Sequence, residues 1–133
     1  MIKNDKKLNL TEIEVAWLSG LFEGEGSFGI DNRSAKRYIN SVDVTPAAPF
    51  IKIAMTDEDV IAKVAKLLNK SHLSPTRKTV TNKTVFICHI GDRQTLLYLL
   101  PRMLPYMGKR RQKQIQMSIF LLNKWKIWKN KRN

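Results

Sequence analysis

Two carboxylates held between glycines, in Glu23-Gly24-Glu25-Gly26, are the residues of this sequence best placed to do chemistry. They close an apolar stretch, Trp17 to Phe22, that reads as a helix. Gly20 and Gly24 are four residues apart, so on a helix they share one face and leave it bare. A bare face lets another backbone come close. Glu25 falls in the last turn, just before the natural stop at Gly26. A negative group there meets the negative end of the helix dipole, at a cost of roughly 0.3–1 kcal/mol unless a cation offsets it. A helix shaped for close pairing that ends in such a carboxylate reads as a metal site on a two-fold axis. Two copies of Glu25 would repel each other, and a divalent cation relieves that repulsion while binding phosphate. A hard oxygen site suits Mg²⁺, with Mn²⁺ or Ca²⁺ able to replace it for binding. Glu23 points elsewhere and reads as a solvated or core-capping carboxylate.

A second constellation lies at Gly108-Lys109-Arg110-Arg111-Gln112-Lys113-Gln114, with four cations in the five positions from Lys109 to Lys113. At a helix start these charges oppose the dipole. The run is either a solvated basic turn or the neighbour of something anionic. Trp125 and Trp128 interleave with lysines in the tail and read as packing on a sheet in preference to touching a nucleic-acid backbone. His72 and His89 show no ligand spacing.

Leu18 to Gly26, LSGLFEGEG, resembles the signature of the LAGLIDADG homing endonucleases. Ser stands for the first Ala, Phe for Ile, Gly for the second Ala and Glu for both Asp. The following Ser27-Phe28 and the layout of the remaining chain add to the resemblance. It implies a single-signature enzyme that works as a homodimer, paired through Trp17, Gly20, Leu21 and Gly24. It implies Glu25, at the final acidic position, as catalytic residue and metal ligand. It also implies a basic catalytic residue at the start of the last helix; Lys109 matches that place best, and a shift of two residues selects Arg111. The glutamine that often assists in relatives has its comparable place near Ala54-Met55, so that role is absent or moved. The implied reaction is metal-assisted phosphodiester hydrolysis at a long, near-palindromic double-stranded DNA site, serving intron or intein mobility.

The elements that must hold these residues can be read independently. The length, 133 residues, is that of one domain, and 43% hydrophobic residues can bury a core. Against 11 Asp and Glu stand 24 Lys and Arg, a net charge of +13 that favours polyanions, either nucleic acid or an anionic membrane surface. The single cysteine, Cys88, excludes a disulfide framework within the chain. The N-terminus lacks an apolar signal core and no run approaches membrane-spanning length. The expectation is an intracellular, DNA-associated protein without a membrane partner, its host compartment open.

Residues 1–9 read as a mobile basic arm, 10–128 as one domain and 129–133 as a basic tail. Thr11 and Glu14 form a capping box for a first helix running to about Gly24. Alternation gives strands over Ser27–Arg33 and Phe50–Met55, with a polar segment 34–49 between them. A second helix begins at Thr56 and runs to about Lys70. Leu73–Val80 and Lys83–Ile90 form a hairpin around Thr81-Asn82. Asp92 caps a third helix ending before Pro101, and a last helix spans about Lys109–Trp128. The order is that of an α+β protein, and the αββαββα plan of the resembled family matches it, with a four-stranded antiparallel saddle. If Phe28, Ile30, Ile51, Ile53, Leu73, Val85 and Ile87 face inward, the other face offers Asp31, Arg33, Lys52, Ser74, Thr76, Lys78 and Thr84. Such a face can lie in the major groove, where Arg33 and Lys52 reach guanine. Arg37, Arg111 and Lys113 join it as expected DNA contacts. Two rivals remain: a non-cleaving binder on the same fold, such as an RNA maturase or DNA-binding regulator, and a basic RNA-binding protein of ribosomal type.

Overall fold

The computed structural model describes residues 7–33, 45–72 and 78–131. Helix α1, Glu12–Glu25, opens on the capping box: Thr11 accepts from the Glu14 amide and Glu14 accepts from the Thr11 amide. Strand β1, Gly26–Asp31, follows directly. Strand β2, Ala48–Met55, pairs antiparallel with it from Gly26↔Ile53 to Asp31↔Ala48. Helix α2, Glu58–Leu67, leads on to strand β3, Phe86–Ile90, which pairs antiparallel with β2 from Ile51↔Ile90 to Met55↔Phe86. Helix α3, Arg93–Met103, and a 3-10 turn, Leu104–Tyr106, precede the long helix α4, Lys109–Lys131. The strand order is β1-β2-β3. All four helices cover one face of the sheet, so the fold is two-layered. Leu18, Phe22, Ile51, Ile53, Cys88, Ile90, Leu96, Leu99, Ile115 and Leu122 fill the space between the layers.

The α+β order stands as expected, with several local differences. Among the described residues the sheet has three strands. Of the expected fourth, residues 73–77 lie outside the described residues, and with them the expected contacts Ser74 and Thr76; Arg37 lies outside them as well. A single Lys78↔Thr84 bridge closes the turn at Thr81-Asn82, where Asn82 takes the left-handed conformation (φ 66) that Asn tolerates. Strand β1 ends at Asp31, short of Arg33. Strand β2 starts at Ala48 and takes in Pro49, because β3 stops alongside Ile51 and leaves Pro49 paired on one side only.

On β3 the inward residues are Cys88 and Ile90, opposite Ile53 and Ile51, so Ile87 faces outward with Ala54 although it was expected inside. Helix α2 takes Asp57 as its N-cap, not Thr56. Helix α3 runs through Pro101 to Met103. Pro101 is exposed in the last turn, while Leu99, Leu100 and Met103 remain buried and hold the turn to the core. Helix α4 extends past Trp128 into the expected tail. At the other end, Leu8 and Leu10 pack on the core and the Leu10 amide donates to the Tyr98 hydroxyl at 2.8 Å. Among the described residues no helix is long and apolar enough to cross a membrane.

Candidate active site and nucleic-acid face

The end of α1 is stitched to the start of α4. Glu23 reaches across so that its Oε1 accepts from the Gly108 amide at 2.7 Å. This supplies the acidic group that the first turn of α4 lacks in its own sequence. Arg111 reaches back. Its Nη2 donates to the Gly26 carbonyl at 2.8 Å, its Nε to the Glu23 carbonyl at 3.4 Å and its Nη1 to Gln114 at 3.0 Å, and the guanidinium lies over the Phe28 ring. Arg111 is only 6% exposed. Expected on the DNA face or as the basic catalytic group, it instead occupies the interior of this seam, where it satisfies α1's C-terminal carbonyls. Gly26 is required at the crossing because a Cβ there would stand 2.6 Å from Phe22 Cδ1 and 2.7 Å from its carbonyl oxygen.

Flanking the seam, Glu25 and Lys109 are both exposed, and among the described residues neither has a hydrogen-bond or ion-pair partner. Each carries a charge at the helix end that disfavours it: α1 has no basic residue in its last turn and α4 no acidic residue in its first. Among the described residues no cluster of three His, Cys, Asp or Glu exists.

The side of α1 away from the core is open. Gly20 and Gly24 are exposed, and a Cβ on either would meet nothing within 4 Å. Ala16 is exposed and Ile13 is 82% exposed on the same stripe. Ile13 lies three before Ala16 and seven before Gly20, which puts it on this stripe. Trp17 and Leu21 are half-buried, with the Lys63 ammonium 4.1 Å from the centre of the Trp17 ring.

The outer face of the sheet carries polar and basic residues in register. Ser27, Lys52 and His89 form one row across the three strands. Phe50 lies across Gly29, where a Cβ would come within 2.3 Å of the ring, and stacks on His89 at 5.0 Å. With Cys88 and Ile90 facing inward, His89 between them faces outward. Asp31 and Arg33 pair through three side-chain hydrogen bonds of 2.7 to 3.1 Å. The Arg33 fork holds the Asp31 carboxyl down to about 2. Lys52 is half-buried, Lys78 exposed and Thr84 half-buried beside its bridge. Lys113 is exposed on α4, bordering a groove that Phe28, Gly29 and Ile30 also line. Ile30 stands on the inward side but is 44% exposed, at the open edge of that groove. Trp125 packs between Arg93 and Lys129, on α3 and not on the sheet.

No family model matches this chain, and no curated protein matches it by sequence. Solved structures do. The homing endonuclease I-CvuI, in complex with its target in the presence of Ca, matches 86% of this chain and 68% of its own at a TM-score of 0.59 and 17% identity. The group I intron-encoded homing endonuclease I-CeuI, complexed with DNA, matches 89% of this chain and 57% of its own at 0.60 and 17%. The LAGLIDADG meganuclease I-CpaMI, bound to uncleaved DNA, matches 93% and 38% at 0.59 and 16%. The chain therefore has the LAGLIDADG homing endonuclease fold, and the resemblance carried by Leu18–Gly26 extends to the architecture as a whole.

Proposed function

We propose that this protein is a homodimeric, divalent-metal-dependent endonuclease that cuts long, near-palindromic double-stranded DNA sites in the service of intron or intein mobility. The observation that carries the reading is the exposed, unpaired Glu25 carboxylate at the end of an open helix face, beside the basic start of α4 and the edge of a polar sheet face. In a dimer built on Gly20 and Gly24, the two open α1 faces cover each other and both Glu25 carboxylates arrive near the two-fold axis. Their oxygen chemistry fits Mg²⁺, which takes one or two carboxylates and completes its shell with DNA phosphates and water. When bound, the cation supplies charge neutralisation at the scissile phosphate.

The chain's own residues do the rest. The outer sheet face, led by Lys52 and Arg33, enters the major groove, with Lys78, Thr84 and Lys113 holding its margins. Lys109 faces the scissile phosphate and stabilises the negative charge that develops on its oxygens. Arg111 and Glu23 lock the two helix ends, so that Glu25 and Lys109 keep a fixed spacing. Cleavage then falls across the minor groove, between the two major-groove contacts. The test is Glu25→Gln on a duplex recovered by site selection: cutting is lost while binding is kept or tightened. Binding that collapses in this variant contradicts the assigned role. A wild-type protein that binds the site and never nicks it with Mg²⁺ favours the non-cleaving reading instead.

A further inference from the structure

The outer sheet face holds two kinds of cation. Lys52, in its middle, has no charged partner among the described residues and is a flexible point charge that suits phosphate. Arg33 is different. Its Nε and Nη2 edge is taken by Asp31, with Nε 3.0 and 3.1 Å from the two carboxylate oxygens and Nη2 2.7 Å from Oδ2. The Arg33 amide donates to the same carboxylate at 3.0 Å, fixing the turn that carries it. The pair is accessible, with the Arg33 side chain 87% exposed. A guanidinium has five N–H donors in a rigid fork. With the Nε edge occupied, the edge formed by Nη1 and Nη2 has no partner among the described residues.

Resting on the proposed DNA-binding function, we infer that Arg33, held in place by Asp31, reads one guanine in each half-site through its free Nη1/Nη2 edge. Guanine alone presents two acceptors, O6 and N7, side by side in the major groove, and they match that edge. The Asp31 carboxylate repels phosphate oxygens, which turns the pair from the backbone toward base edges. It also fixes the fork before binding, so less side-chain freedom is lost on docking. Phe50, laid flat across Gly29 and stacked on His89, gives the neighbouring base an apolar floor within the same groove.

The experiment selects bound duplexes from a randomised pool with the wild-type protein, Arg33→Ala and Asp31→Asn. Both substituted side chains lie at the surface, Arg33 87% and Asp31 35% exposed, so the fold is not at stake. The wild-type protein enriches a guanine at one position per half-site, preferred about ten- to a hundredfold over other bases. Arg33→Ala loses the preference at that position alone. Asp31→Asn loses most of it while binding unrelated duplex more tightly, because one negative charge is gone. Uniform weakening by Arg33→Ala with every base preference intact overturns the inference, as does an Asp31→Asn protein with unchanged selectivity; in either case the DNA-binding reading survives. A wild-type protein that enriches no sequence overturns that reading and this inference together.

Discussion

On the core side of α1, Val15, Leu18, Ser19 and Phe22 are buried, whereas on the opposite side Ile13 is 82% exposed and Gly20 and Gly24 face open space. A surface helix that buries one side normally carries charge on the other. Between Val15 and Phe22, α1 carries none. The two carboxylates at its end divide in the same way. Glu23 is engaged within the subunit, capping α4, while Glu25 has no partner among the described residues and sits where a helix end disfavours it. One side of α1 is finished by the subunit itself, and the other is the side to which the proposed function assigns a second copy and a polyanion. Conflict with local rules concentrates on the second side, as functional sites lead one to expect.

The sharpest way to break this contrast is Glu25→Gln. Cleavage of a selected duplex falls by about a thousandfold or more, roughly 4 kcal/mol of barrier, with thermal stability unchanged. Loss of stability in place of cleavage would put Glu25 on the structural side with Glu23. Arg111→Ala tests the finished side. It strands the Gly26 and Glu23 carbonyls and costs about 2–3 kcal/mol in a denaturant titration. A mutant as stable as the wild type would free Arg111 for catalysis. Gly20→Leu tests the open side. The added side chain meets empty space within one subunit, so monomer stability is kept or rises by about 0.5–1 kcal/mol on helix propensity, while the dimer dissociation constant measured by sedimentation rises by roughly a hundredfold.

Glu23→Gln sharpens the comparison further. It weakens the cap on Gly108, costs about 1 kcal/mol and leaves cleavage within a few-fold of wild type. The smallest effect lies away from both sides, at Asp92. Burial pushes its carboxyl up, but the bonds from Lys70 and from the Thr95 hydroxyl and amide outweigh this and leave it lowered from 3.8. A lowered folded value stabilises above the unfolded one and is lost as pH falls through the folded one. Asp92→Ala therefore costs about 1 kcal/mol at pH 7, and the gap to wild type closes below pH 3.8 in acid titrations of stability.

What the sequence made legible follows the same divide. The capping box, the stop at Gly26 and the bare face at Gly20 and Gly24 all depend on local spacing, and spacing is visible in a sequence; the reach of Glu23 to Gly108 is tertiary and was not. Arg111 was misjudged because a run of cations looks alike from end to end, and only the docking of α4 on α1 decides which one turns inward. Ile87 was misassigned because a one-residue slip exchanges the faces of a strand, and the register is set by β2, not by β3. Pro101 was read as a stop because its cost is local, whereas the burial of Leu99, Leu100 and Met103 that outweighs it is tertiary. Asp31 and Arg33 were each placed on the binding face, but their mutual grip needed coordinates.

The central claim is that two open α1 faces meet closely enough to bring both Glu25 carboxylates together. Gly20→Cys and Gly24→Cys test it directly, since a disulfide forms only where Cα atoms approach within about 4.4–6.8 Å. Cys88, buried and with its thiol pushed up by burial, stays out of the reaction. Mild oxidation followed by non-reducing electrophoresis should give a covalent dimer for at least one variant and none for the wild type. A protein that sediments as a dimer yet yields no cross-link at either position would contradict the account.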